Sequence, residues 1–227
     1  MQDTRNTSHL FVLIACIFVS CLLISNIIAG KLITVYGIVL PGAVILFPVV
    51  YIAGDVLTEV YGFQKARLVI WAGFLCNLIM VAAFYLVLAI PSPEFFDGSS
   101  AFSLVLGMTP RIVLASLLAY WAGEFANSMV LSKLKVFTEG RFLWMRTIGS
   151  TLVGQCLDTV IFIIISFWGT VPNAVLGQMM LYQYLFKVTF EVVATPLTYH
   201  VVGWLKRTEQ IDTFDEGISY NPFKLNA

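Results

Sequence analysis

The chain is 227 residues long, 59% hydrophobic and only 11% charged, with a formal net charge of zero and a mean hydropathy of +0.89. An average soluble domain carries about 25% charged residues. The composition therefore excludes an ordinary soluble globular protein, and the few basic residues, confined to short loops, leave no footprint for nucleic acid.

A helix needs about 20 apolar residues to cross the hydrocarbon core of a bilayer. Six runs meet that need: 10–30, 42–62, 68–90, 111–132, 147–169 and 178–204. The first, from Leu10 to Ala29, exceeds the roughly 7–15 apolar residues of a secretory signal and ends without a clear cleavage site, so it reads as a first transmembrane helix. Between the first two runs, β-branched residues with Gly37 and Pro41-Gly42 suggest a short hairpin or re-entrant piece. The stretch from Pro91 to Pro110 is half apolar, with Phe95, Phe96, Phe102 and Leu104, and is expected to lie at the membrane interface. The fold class is thus an all-α membrane protein with six transmembrane helices. A transmembrane domain occupies 1–207 and a polar, solvated tail 208–227.

Basic residues fix the expected orientation. With the N-terminus inside, the inner segments hold Arg5, Lys65, Arg67, Lys133, Lys135, Arg141, Arg146, Lys206, Arg207 and Lys224, whereas the outer side holds only Lys31 and Arg111. This asymmetry follows the positive-inside rule and implies both termini in the cytoplasm of a bacterial inner membrane.

The second and fifth runs carry related segments, Gly54-Asp55-Val-Leu-Thr-Glu59-Val60 and Gly154-Gln155-Cys-Leu-Asp158-Thr-Val160. The interval from Ser25 to Lys31 likewise equals that from Asn127 to Lys133. Three helices per half would make the halves antiparallel, a 3+3 inverted repeat of the kind common in secondary transporters.

Polar residues inside the runs carry the functional signal. A charged side chain at the centre of a membrane helix costs about 2.5–3.5 kcal/mol on insertion scales, so it faces a cavity or a partner. Asp55 and Glu59, and Lys187 and Glu191, are spaced i,i+4; Glu124 and Asn127, and Gln155 and Asp158, are spaced i,i+3. Each pair shares a helix face. Gln183, Lys187, Glu191 and Thr195 form a stripe that ends near the kink expected at Pro196. Asn26 and Asn77 add two neutral amides. Four helices that each turn a polar face inward could line one cavity, with Phe47 and Tyr51 among its aromatic neighbours. Two blander readings stand beside this one: Asp55 and Glu59 solvated at the cytoplasmic surface, and Lys187 with Glu191 as an intrahelical ion pair.

Cys16, Cys21, Cys76 and Cys156 lie singly in apolar runs and form no metal motif, and neither His9 nor His200 has a metal-ligand companion in spacing. No cofactor or metal is expected. Asp55 and Asp158 raise the idea of an intramembrane aspartyl protease, but Ile52 replaces the first glycine of a Gly-x-Gly-Asp motif, and no other hydrolase or phosphate-loop motif occurs. The alternatives to a self-sufficient transporter are a substrate-binding component of an energy-coupled vitamin importer and an intramembrane enzyme.

At these residues the chain resembles a known family. Phe47-Pro-Val-Val-Tyr51-Ile-Ala-Gly54-Asp55-Val-Leu-Thr-Glu59-Val-Tyr-Gly62, Gly154-Gln155-Cys-Leu-Asp158-Thr159 and Tyr184-Leu-Phe-Lys187-Val, followed by Pro196-Leu-Thr-Tyr199, are similar to the signatures of the queuosine precursor transporters, also labelled vitamin uptake transporters. The chain departs from the family pattern at Glu59, Glu124 and Asn127. The resemblance implies uptake of 7-cyano-7-deazaguanine and 7-aminomethyl-7-deazaguanine. A buried carboxylate, Asp158 or Glu124, would take the donor edge of the base, and Asn127, Gln155 or Lys187 its carbonyl, with Phe47 or Tyr51 stacked on the ring. The expected substrate-binding set is Asp55, Glu59, Glu124, Asn127, Gln155, Asp158, Lys187, Glu191, Phe47 and Tyr51. Expected partners are a small 7-deazapurine, the lipid bilayer and a second copy in a homodimer.

Overall fold

The structure is a computed structural model that describes residues 8–28, 31–35, 38–107, 110–169 and 172–224. In chain order it contains α1 (His9–Ile28), the strands β1 (Leu32–Val35) and β2 (Ile38–Pro41), a 3-10 turn (Gly42–Ile45), α2 (Phe47–Tyr61), α3 (Phe63–Ala89), α4 (Ser99–Leu106), α5 (Pro110–Phe137), α6 (Leu143–Phe167) and α7 (Asn173–Glu209). Among the described residues, six of these helices are long and α4 has only 8 residues. Arg5, the end of the first run at Ala29 and Gly30, and the Gly37 punctuation lie outside the described residues.

Helices overrun the apolar runs at their charged ends. α3 begins at Phe63 rather than 68, α5 continues to Phe137 and α7 to Glu209. The apolar run follows the thickness of the hydrocarbon, whereas the helix ends where its backbone hydrogen bonds end, and Lys and Arg are good helix formers that extend it past the lipid. The run 42–62 is divided instead. A 3-10 turn precedes α2, whose first turn carries Pro48, a residue that fits there because the first N–H groups of a helix lack partners anyway. β1 and β2 pair antiparallel, with Leu32 opposite Pro41 and Val35 opposite Ile38. Gly42 closes this piece onto α1. Its N–H donates to the Lys31 carbonyl at 2.7 Å, and a Cβ there would sit 2.8 Å from the Ile28 carbonyl oxygen.

Among the described residues, four stretches are long and apolar enough to cross a membrane by length and composition: His9–Ile28, Phe63–Ala89, Ser99–Phe137, which includes α5, and Leu143–Phe167. Their outward faces carry exposed Leu13, Leu75, Ile79, Leu86, Leu118 and Leu157. An apolar surface of this extent has lipid as its neighbour. At 15 residues, α2 is about 22 Å long by its helical rise, shorter than the roughly 30 Å hydrocarbon core. It is sheathed in protein, buried without interruption from Ala53 to Tyr61. Phe18 and Leu22 of α1, Val50, Val56, Leu57 and Val60 of α2, Val69 of α3, and Val202 and Leu205 of α7 form the core around it.

The helix ends sort to two sides. Ser8, just before α1, donates to the Glu209 carboxylate at the end of α7, and Tyr61 at the end of α2 donates to the same carboxylate at 3.1 Å. Both described ends of the chain therefore lie at one end of the bundle. At the other end, Arg111 near the start of α5 donates to the Ile165 carbonyl and, at 2.6 Å, to that of Trp168, closing the C-terminal end of α6.

The expectation of a solvated tail is corrected. Asp215 is buried, and its Oδ2 accepts from the Phe63 backbone N–H at 2.8 Å and from Ser132 at 2.5 Å. Arg67, itself buried, donates to the Ser219 and Asn221 carbonyls at 3.3 and 3.0 Å, and Trp71 donates to the Pro222 carbonyl at 2.8 Å. Donors on α3 and α5 that would otherwise be short of partners hold the segment against the bundle.

Candidate functional site

The polar residues divide into two layers. The first sits mid-bundle. Asn127 Nδ2 on α5 donates to Asp55 Oδ1 on α2 at 2.9 Å. Tyr51, one turn earlier on α2, donates to Gln155 Oε1 on α6 at 3.3 Å. Lys187 on α7 forms an ion pair with Asp158 on α6, and its ammonium lies 5.7 Å from the centre of the Phe47 ring. Phe47 and Tyr51 stack at 5.8 Å and 24°. Glu124 faces Gly54, where a Cβ would come within 3.4 Å of its carboxylate, and it interacts electrostatically with Asp158, Lys187 and Glu191. Nine of the ten expected residues thus gather from α2, α5, α6 and α7.

Two glycines make this gathering possible. A Cβ on Gly123 of α5 would stand 2.8 Å from the Asp158 Cβ, and one on Gly154 of α6 would stand 2.8 Å from the Asn127 Cβ and 2.9 Å from the Gly123 carbonyl oxygen. Small residues let membrane helices approach backbone to backbone. The close α5–α6 contact sets the Glu124/Asn127 face beside the Gln155/Asp158 face.

The layer is incompletely satisfied. Among the described residues, Asp55 Oδ2, Asn127 Oδ1 and both carboxylate oxygens of Glu191 are buried without a hydrogen-bond partner. A buried polar group left unpaired costs about 1–3 kcal/mol, more when charged. Such a set in a protein core calls for a ligand, a proton or a second conformation. As oriented here, Asn127 offers an acceptor to the core, not a donor. The crevice bounded by Gly54, Glu124, Ser128, Phe18 and Ile70 leaves no room for a water molecule, far short of the roughly 300–1,000 Å³ of small-molecule pockets. That crevice is closed.

The tenth residue, Glu59, belongs to the second layer, near the bundle end that carries both chain ends. It is fully buried. Arg146 grips it in a fork, with Nη2 2.7 Å from Oε1 and Nε 3.1 Å from Oε2. Lys206 donates to Oε1 at 2.8 Å, and Lys135 stands 3.8 Å from Oε1 while donating to the Glu59 carbonyl at 2.5 Å. Lys135 and Lys206 also bind Asp212 of the tail, at 2.5 and 2.9 Å. Burial raises the Asp212 carboxyl, but these two ammonium groups outweigh it and hold the group below the ordinary carboxylate value.

The surface-solvation reading of Asp55 and Glu59 does not hold, since they are 1% and 0% exposed. The intrahelical Lys187–Glu191 pair is not formed, because Lys187 turns to Asp158. Asn26 and Asn77 pair with each other at 2.5 Å between α1 and α3, apart from the core layer. Lys135, Arg146 and Lys206 read in sequence as loop charges. Their only hint of burial is that each lies within a turn or two of an apolar run.

Crossing helices that gather acids, amides and an ammonium inside an apolar bundle are the setting of a multi-pass membrane transporter. Residues 41–201 match the family described as "Putative vitamin uptake transporter", and the chain belongs to that family. It is 30% identical over 176 residues, 77% of each chain, to the "Probable queuosine precursor transporter" of Bacillus subtilis (strain 168). Over 151 residues, 65% of each chain, it is 28% identical to the "Queuosine precursor transporter" of Escherichia coli (strain K12). A "Probable queuosine precursor transporter" of Haemophilus influenzae is 24% identical over 159 residues, 69% of this chain and 65% of that one. No solved structure matches the chain.

Proposed function

We propose that this chain carries queuosine precursors, 7-cyano-7-deazaguanine and 7-aminomethyl-7-deazaguanine, into the cytoplasm across the bacterial inner membrane. The names of its relatives favour that substrate class. The structural observation that carries the reading is the pair of unpartnered buried acceptors, Asp55 Oδ2 and Asn127 Oδ1. A deazaguanine presents ring and exocyclic N–H donors side by side, with a carbonyl next to them. Asp55 and Asn127 take the donors, and Gln155 or Lys187 reaches the carbonyl. The Phe47 and Tyr51 rings offer a face to the base. Glu124, Asp158 and Glu191 complete the wall, and Glu59 serves the ionic layer instead. Admission of a bicyclic base requires the helices to part.

The bundle end that gathers Lys135, Arg146 and Lys206 faces the cytoplasm in this reading, by the positive-inside rule, and carries both termini there. The test is uptake of labelled precursors by bacteria that can neither make nor import them, with this chain as the only added protein. Queuosine restored in tRNA supports the reading. No uptake, with the protein shown to be in the membrane, overturns it as a self-sufficient importer of these bases.

A further inference from the structure

The mid-bundle layer has a charge problem that the substrate reading does not resolve. Asp55 feels the charges of Glu191 and Glu124, Glu124 those of Asp158 and Glu191, and Tyr51 those of Asp158, Glu124 and Glu191, and Lys187 is the ammonium that lies among them. That ammonium is committed to Asp158. With every acid ionised, the layer would hold several uncompensated negative charges in the middle of a membrane bundle, a cost that side chains avoid by taking up protons.

The acids differ in what supports an anion. Asp158 has Lys187. Asp55 receives one amide donor from Asn127 and is otherwise open at Oδ2. Glu191 is 0% exposed, and neither of its oxygens receives a donor from any described residue. α2 and α6 pack against α7, and Tyr51 and Asp55 of α2 and Glu124 of α5 lie within electrostatic reach of Glu191; Lys187 lies one turn before it on α7. Among charged groups, Glu191 bears most strongly on Asp55. A carboxyl with no donor, no cation of its own and a carboxylate neighbour is stable only as the neutral acid.

We propose that Glu191 is the proton-binding site of this transporter: it carries a proton at neutral pH in the closed bundle and gives it up to water when the bundle opens. The proton leaves as Glu191–COOH becomes carboxylate plus a hydrated proton, so no other co-reactant is needed. One proton moved with each substrate makes transport respond to a pH gradient. The coupling half rests on the proposed function; the protonated state does not.

Two measurements on the full chain test this. The first is the infrared spectrum of the purified protein in lipid at neutral pH, wild type against Glu191→Gln. The expected result is a protonated-carboxyl carbonyl band that loses a Glu191 component on substitution. A wild-type spectrum with no such band overturns the proposal even if the variant fails to fold, as does a band of undiminished intensity in a folded variant. The second is accumulation of labelled 7-deazaguanine by liposomes holding the wild-type protein across one unit of pH. One proton per substrate sustains about a tenfold concentration ratio, since each tenfold is 1.4 kcal/mol. Equilibration to equal concentrations overturns the coupling. A Glu191-dependent band without any entry of the base upholds the proton site and overturns the substrate reading instead.

Discussion

The Asp215 carboxylate accepts the Phe63 backbone N–H at 2.8 Å across 152 positions of sequence. A residue of the C-terminal tail thereby caps the first turn of α3. Gly62, at the cap position with φ +85°, has no side chain to do so, and a Cβ there would run into Thr213 and Asp215. A carboxylate at a helix N-terminus gains from the dipole as well as from the hydrogen bond. Asp215→Ala is expected to lower stability by about 1–3 kcal/mol, the cost of an unsatisfied buried donor. Thermal unfolding of the purified protein checks it; a melting temperature equal to wild type would show that the cap is dispensable.

Asp212 gives the tail a pH dependence. Its carboxyl lies below its ordinary value in the folded protein, after Lys135 and Lys206 outweigh the opposing effect of burial. A depressed folded value means that the contribution is present above the unfolded carboxylate value, about 3.9, and is lost as pH falls through the lower folded value. The tail should therefore stay docked at neutral pH and loosen only in acid. Limited proteolysis across a pH series is the measurement. Asp212→Asn should remove that acid-dependent step, and an unchanged profile in the variant would assign it to another group.

Glu59 anchors the ionic layer. It takes Arg146 in a fork and Lys206 at 2.8 Å, all but Lys206 deeply buried. Removing one partner of a buried pair leaves the other charge uncompensated, at a cost of about 3–5 kcal/mol. Glu59→Ala and Arg146→Ala should each lower yield and melting temperature by a comparable amount, and the double variant should cost less than their sum. Strict additivity in that cycle would mean the pair does not interact.

Asp158 and Lys187 join α6 to α7 at the centre of the bundle. Asp158→Ala should abolish precursor uptake while the protein still inserts into the membrane. Uptake at the wild-type rate, with insertion verified by labelling of an exposed loop, would remove Asp158 from the site.

Gly154 and Gly177 make a matched pair of substitutions. A methyl group at Gly154 meets Asn127 and the Gly123 carbonyl within 3 Å, whereas one at Gly177 meets nothing within 4 Å. Gly154→Ala should force α5 and α6 apart, reducing both melting temperature and uptake. Gly177→Ala should be neutral or stabilise by up to about 1 kcal/mol through helix propensity. Equal effects of the two would contradict the close α5–α6 approach.

Much of the architecture was legible without coordinates. The helices lie close to the apolar runs because hydropathy responds to the lipid they face, and the short strand pair sits where β-branched residues and Pro41-Gly42 interrupt the helical pattern. The i,i+3 and i,i+4 spacings correctly placed paired polar residues on common helix faces. Depth was harder to read. Asp55 and Glu59 are one turn apart, about 6 Å along the helix, yet Asp55 meets Asn127 while Glu59 meets Arg146 and Lys206 in a different layer.

The sequence by itself determined that this is a multi-pass membrane chain, which helices bear polar faces and to which family it belongs, since these depend on composition, local spacing and motif. Only the tertiary structure decided that Lys187 pairs with Asp158 rather than Glu191, that Glu59 is held by three cations, and that the tail is docked instead of solvated. Those outcomes depend on how far each helix is rotated and how closely its neighbours approach. Contacts across 29, 87 or 152 positions of sequence are set by that packing, and no local pattern records it.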